Sequence, residues 1–298
     1  LHATQFFNKM IEKTGSREHV EFDADYPFHM GTLVESLKGY LHNYLPSLCY
    51  ERQHTHLRQD NLCALNLKIR DTQLIQDLLL IPLEIDKAIS VEGYLYDSND
   101  AFRLQVTAPH VNYDGTDFSN VNIICETATD GLNLNAGGTV HGDNDLLTTA
   151  NVLANATDDR LNLGILWNSS EGQTFEGALY SNVYFDYTSD NKIDVRVECD
   201  SSDFYINKSA WKLSPFNMHV APEYTQIDDF RLEHDNNRYV CANGCISDME
   251  SDSLKVVLNN MDLNYLLTLV KLKGISFGGN VSGHINAADL YTDTPFLD

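Results

Sequence analysis

Basic side chains are scarce in this chain: 20 Lys and Arg stand against 43 Asp and Glu, a formal net charge of −23. Nucleic-acid recognition depends on a basic footprint, so no nucleic acid is expected as a partner. The same deficit works against adsorption onto an anionic membrane surface. The acidic excess reads instead as a solvated face that keeps the chain dispersed. Long apolar runs are missing too, since none reaches the roughly 18 residues of a membrane-spanning helix. No secretory signal pattern opens the sequence. It begins at Leu1 and stops at Asp298 without an obvious terminus, so it is expected to be a fragment of a longer protein.

Cysteine is sparse, with six scattered at Cys49, Cys63, Cys125, Cys199, Cys241 and Cys245. Cys125 and Cys199 alternate with polar neighbours and are expected on apolar strand faces, as small hydrophobes. Cys241 and Cys245 are spaced for a disulfide or a metal clip, but no second pair accompanies them. No metal and no cofactor are expected.

Helical periodicity is also rare, and it is confined to the ends. Phe6, Phe7, Met10 and Ile11 share one helical face, and Gly15 stands where that helix would stop. Leu33, Val34, Leu37, Tyr40, Leu41, Tyr44 and Leu45 follow a second, ended by Pro46. Asp71 caps a third, with Leu74, Ile75, Leu78 and Leu79 on its buried side before Pro82. Residues 1–90 therefore read as a mixed helix and strand segment.

The stretch 102–258 carries strand after strand with alternate residues apolar. Phe102, Leu104 and Val106 alternate with polar neighbours, as do Val121 and Ile123, then Leu161, Leu163 and Ile165. Val183 and Phe185 continue the pattern, then Ile193, Val195 and Val197, then Phe216 and Met218. Turn signals separate them at 97–100, 114–115, 130–131, 142–144, 157–159, 170–172, 189–191, 201–203 and 235–237. The spacing predicts antiparallel strands of roughly 8–12 residues. Residues 91–298 are thus expected to form a long antiparallel sheet with one oily face, interrupted by a short helix near 262–270. Strand, short helix and glycine-bearing strand recur at 67–95 and 256–285, a hint of repeat architecture.

An oily face must be covered, because each uncovered Leu, Ile or Phe forgoes about 1.5–3 kcal/mol of burial. With almost no helix available, three arrangements remain: a sandwich folded back on itself, a closed barrel, or an elongated curled trough whose interior shields lipid acyl chains. The fifteen apolar residues just named, from Phe102 to Met218, are its candidate lining.

Catalytic constellations are absent from this reading, and no enzyme is expected. Asp158-Asp159 and Asp228-Asp229 read as turn carboxylates. His54 and His56 lack a third metal ligand. Asn135-Ala-Gly-Gly-Thr139 lacks the lysine of a phosphate loop. Asn155, Asn168, Asn207 and Asn280 head glycosylation-type triplets, which arise easily in an Asn- and Ser-rich β protein. Trp167 and Trp211 are expected to pack in strands.

The segments 203–215, 227–232 and 238–244, then 252–267 leading to 278–283, resemble the TamB family of the AsmA-like superfamily. The likeness covers about residues 120–285, with a similar patch at 40–46. It implies a large Gram-negative envelope protein, anchored in the inner membrane and crossing the periplasm as a curled sheet. Its implied roles are phospholipid transport to the outer membrane and outer-membrane protein assembly. Contact with an outer-membrane assembly barrel would fall to parts of the parent outside this chain. Two other readings stand beside it. A transmembrane barrel has strands of similar length but gathers aromatics into girdles. A β-sandwich adhesion or glycan-binding module would use exposed Tyr and Asn side chains for recognition.

Overall fold

The computed structural model describes residues 20–24, 41–48, 62–70, 76, 82–96, 101–142, 147–172, 174–188, 192–206, 208–235, 237–247, 249, 252–262, 278–288 and 296–297. These residues are mainly β, in long antiparallel strands. The chain divides into two compact units, Leu1–Glu171 and Gly172–Asp298.

Unit 1 contains β1 (Val20–Ala24), β2 (Leu62–Ile69), β3 (Leu83–Glu84), β4 (Ile89–Tyr96), β5 (Ala101–Tyr113), β6 (Thr116–Ala128), β7 (Gly131–His141), β8 (Leu147–Thr157) and β9 (Arg160–Ser169). From β4 onward each strand pairs antiparallel with the next, and β2 pairs with both β1 and β4. Tight turns explain the meander. Asp114 and Gly115 take φ of 49° and 78°, and Asp158 and Asp159 take 49° and 58°. Positive φ at both central residues matches the right-handed twist of the strands they join. A bulge in β6 shifts the β6–β7 register between Ser119 and Asn122, with Asn120 at φ 53°.

A buried cluster of Ile89, Ala108 and Val111 forms at one end of the sheet, packed with Ile69, Leu83, Ile85, Val91, Val106 and Val121. Residues 41–44 are helical and lead to Leu45, which is 5% exposed. Ser47 is locked to the β8–β9 turn: its N–H and Oγ–H donate to the Asp159 carboxylate at 2.7 and 2.8 Å. Asp159 N–H donates to the Tyr44 carbonyl at 3.0 Å.

Unit 2 contains β10 (Phe175–Tyr187), β11 (Ile193–Cys199), β12 (Ser202–Ile206), β13 (Ser209–Leu213), β14 (Phe216–Val220), β15 (Tyr224–Asp235), β16 (Arg238–Ser247), β17 (Ser253–Asp262), β18 (Asn280–Ala288) and β19 (Phe296–Leu297). The turn expected at 201–203 is a bend instead. Ser202 opens β12, and β11–β12 together pair with β13–β14 as one bent hairpin. The hydroxyl-rich sequence was compatible with either, and Ser202 Oγ is taken by the Ala178 carbonyl across the sheet. Asp228-Asp229 is likewise no turn. Both lie within β15, where Asp229 at φ 61° makes a bulge between Ile227 and Phe230.

Both repeat candidates place a strand, a connection and an antiparallel neighbour together, as β2–β4 and β17–β18. Of their helices only Gln76 is described, and it is helical. The helix expected near 262–270 lies outside the described residues except for Asp262, the last residue of β17. The helix at 6–11 and the His54/His56 pair also lie outside them. No helix among the described residues is long and apolar enough to cross a membrane.

Candidate functional site: two apolar sheet faces

Antiparallel pairing puts directly opposed residues on the same face, so the registers assign every strand residue to a side. In unit 1 one row crosses seven strands as Leu67, Val91, Val106, Ile123, Ala136, Val152 and Ile165. The adjacent row runs Gly93, Leu104, Cys125, Leu134, Ala154 and Leu163. Neither row contains a charged side chain. Alanines at 150, 154 and 156 give β8 a low floor between the leucines of β7 and those of β9.

Eight predicted lining residues share this face: Phe102, Leu104, Val106, Val121, Ile123, Leu161, Leu163 and Ile165. The sequence reading missed Val91, Leu134, Ala136, Val152 and Ala154. Their strands alternate as clearly, but small or glycine-rich stretches dilute the signal.

Unit 2 repeats the arrangement. Val183, Val197, Met218, Ile227, Gly244 and Leu254 form one row, and Phe185, Val195, Val220, Thr225 and Ile246 the next. Val183, Phe185, Ile193, Val195, Val197, Phe216 and Met218 all fall here. Phe216 meets Phe230 edge to face at 5.2 Å.

Exposure distinguishes these faces from a closed core. Phe102 is 8% exposed, but Ile193 is 41% exposed and the other predicted lining residues are half-buried. No large side chain among the described residues is fully buried.

The opposite faces are largely polar, although in unit 1 Ile124, Leu166 and the 42% exposed Leu153 share that side. In unit 1 the row alongside is Tyr94, Arg103, Glu126, Asn133, Asn155 and Asn162. In unit 2, His219 lies between an acid and a phenol. Its Nε2 is 2.8 Å from Asp194 Oδ1, and its Nδ1 is 2.9 Å from Tyr224 Oη. Burial, then the Asp194 charge, pushes the Tyr224 phenol upward, so the hydroxyl beside the imidazole stays protonated. Asp194 Oδ1, both imidazole nitrogens and the Tyr224 hydroxyl are engaged with one another, which suits a structural tie between strands.

The cysteine expectations divide. Cys125 and Cys199 sit on the apolar faces, and burial followed by the neighbouring carboxylate raises each thiol above its ordinary range. Cys241 and Cys245 form no clip. Both lie on β16 with free thiols, and four strand residues span about 13 Å, beyond disulfide reach. Arg231 donates instead to Cys241 Sγ at 3.4 Å and stacks over Tyr239 at 4.2 Å. Among the described residues no group of three or more His, Cys, Asp or Glu is arranged to hold a metal ion.

Comparison with known proteins returns no matching family model, no matching curated protein and no matching solved structure.

Proposed function

We propose that this chain is a lipid-shielding, non-catalytic segment of a TamB-like envelope protein. Its apolar sheet faces hold acyl chains while the polar faces meet water. One observation carries the reading: rows of uncharged, mostly aliphatic side chains run unbroken across as many as seven strands and, beyond the buried Leu67, stay partly exposed. A face that large costs stability unless something apolar lies on it, since contiguous exposed apolar patches on soluble monomers rarely exceed a few hundred Å². Acyl chains fit such a surface because they ask for no hydrogen bonds and tolerate a smooth aliphatic wall. The TamB-like segments supply the setting. In this proposal the chain lies in the periplasm of a Gram-negative cell, within an inner-membrane-anchored parent, and supports phospholipid transport to the outer membrane and its assembly. Contact with an assembly barrel belongs to other parts of that parent.

The test is uptake of a fluorescent phospholipid by delipidated protein. Ile123→Asp in unit 1 and Val195→Asp or Phe185→Asp in unit 2 should each reduce uptake severalfold with the far-ultraviolet circular dichroism unchanged. Asn133→Asp, on the polar face, should leave it intact. Equal uptake by folded apolar-face and polar-face variants sinks the proposal.

A further inference from the structure

The polar side of unit 1 carries features that lipid shielding does not use. Strands β2, β4 and β5 form an open cavity of about 310 Å³, lined by Asn66, Glu92, Gly93, Tyr94, Arg103 and Gln105. Beside it stands Tyr96, two residues along β4 and on the same face. Tyr94 and Tyr96 are 38% and 37% exposed, with ring centroids 5.2 Å apart and planes tilted by 52°. Two adjacent phenol rings held in water offer stacking surface at little conformational cost, since each side chain has only two χ angles.

From this cavity the polar row crosses the sheet through Arg103, Glu126, Asn133, Asn155 and Asn162. Its head groups fall into two hydrogen-bonded sets, one around Arg103 and one along the asparagines. Arg103 is paired with Glu126 and donates to Gln105 at 3.4 Å. Asn155 donates to Asn133 at 2.8 Å, and Asn162 to Asn155 at 3.5 Å. Gln105 donates to Asn122 at 3.2 Å. Successive members are one strand spacing apart, about 4.8 Å. The result is a line of pre-oriented planar amides beginning at an aromatic pair.

That combination matches the chemistry of a sugar chain. A pyranose ring presents C–H groups on its face, which lie on an aromatic ring, and hydroxyls around its edge. Amide, carboxylate and guanidinium groups bond those hydroxyls pairwise. The spacing of the row is close to the rise of an extended glycan per sugar. Charge narrows the class further. Arg103 is already neutralised by Glu126, Glu92 adds a negative charge at the cavity, and the chain carries −23. A phosphorylated, sulfated or uronic acid ligand is therefore repelled.

We propose that the polar face of unit 1 binds a linear uncharged glycan. One sugar stacks on Tyr94 in the cavity, and the chain runs over the amide row toward Asn162. The site lies on the side of the strands opposite the proposed lipid face and does not depend on it.

Calorimetric titration of the whole chain with cellohexaose and, separately, chitohexaose tests this. At least one should bind saturably, and Tyr94→Ala or Gln105→Ala should weaken that binding tenfold or more. Tyr94→Phe keeps the ring and should stay within about threefold of wild type. Circular dichroism confirms the fold of each variant. Phospholipid uptake by Tyr94→Ala should remain at the wild-type level, which separates failure here from failure of the lipid reading. No saturable binding of either oligosaccharide by folded protein overturns the proposal. So does binding that Tyr94→Ala leaves unchanged, or tighter binding of oligogalacturonate than of the neutral chains.

Discussion

Asp159 joins two tasks that sequence reading treats separately. It adopts φ 58° to close the β8–β9 turn, and its carboxylate accepts both donors of Ser47, which lies 112 residues earlier. Turn chemistry predicted the first role; the second required the fold. Asp159→Ala should lose about 1–3 kcal/mol, the cost of leaving a buried donor unmade. Ser47 is 4% exposed, so water replaces that carboxylate poorly. Ser47→Ala keeps the backbone bond and should cost less. Thermal melting of both variants decides the order, and an equal or reversed ranking refutes this account. Asp235 provides the pH case. The Asn237 N–H, then Arg238, holds its carboxyl below the ordinary 3.8. A lowered folded pKa means the contribution is present above the unfolded value and lost as pH falls through the folded one, so the window lies below about pH 4. A carbon-13 titration should place its midpoint under 3.8; a midpoint at or above that value contradicts the geometry. Raised thiols at Cys125 and Cys199 should alkylate at pH 8 several times more slowly than in urea-unfolded protein, because only the thiolate reacts.

At the scale of strands and turns, the glycines that end hairpins differ in kind. Gly115 has φ 78° with nothing near where a Cβ would stand. Replacing it by Ala costs the backbone term alone, about 1 kcal/mol. Gly131 has φ 139°, and a Cβ there would run into the Ala156 carbonyl on the neighbouring strand. Gly131→Ala should therefore destabilise unit 1 clearly more than Gly115→Ala in urea denaturation. Strand existence was legible because alternation survives in isolation: β5, β6, β9, β10 and β11 were all anticipated from it. The bulges at Asn120 and Asp229 were not. Each is a local left-handed residue whose need arises only when a partner strand sets the register. The bend at Asp200–Ser201 was misread for a related reason, since hydroxyl-rich stretches satisfy either a turn or a cross-sheet hydrogen bond.

For the whole molecule, charge and apolar area are the governing quantities. With −23 formal charges, folded chains repel themselves. Raising salt from about 0.01 to 0.15 M shortens the screening length from about 30 to 8 Å. The melting temperature should rise across that range, and a flat or falling trend would show that self-repulsion does not limit stability. The apolar area is the larger matter. Alternation in the sequence announced that each strand has an oily side. Only the register shows that those sides add into rows, seven strands wide in unit 1, instead of cancelling strand by strand.

Sequence alone determined the β class, the antiparallel pairing implied by short turns, the acidity, and the division of most strands into oily and wet sides. These follow from local rules of steric fit, turn conformation and period. Tertiary structure decided which rows line up, that Cys241 and Cys245 stay apart, that Ser47 meets Asp159, and that Tyr94 opens a cavity at the head of an amide ladder. Those depend on strand register. Register is set by contacts between residues far apart in the chain, which no local pattern encodes.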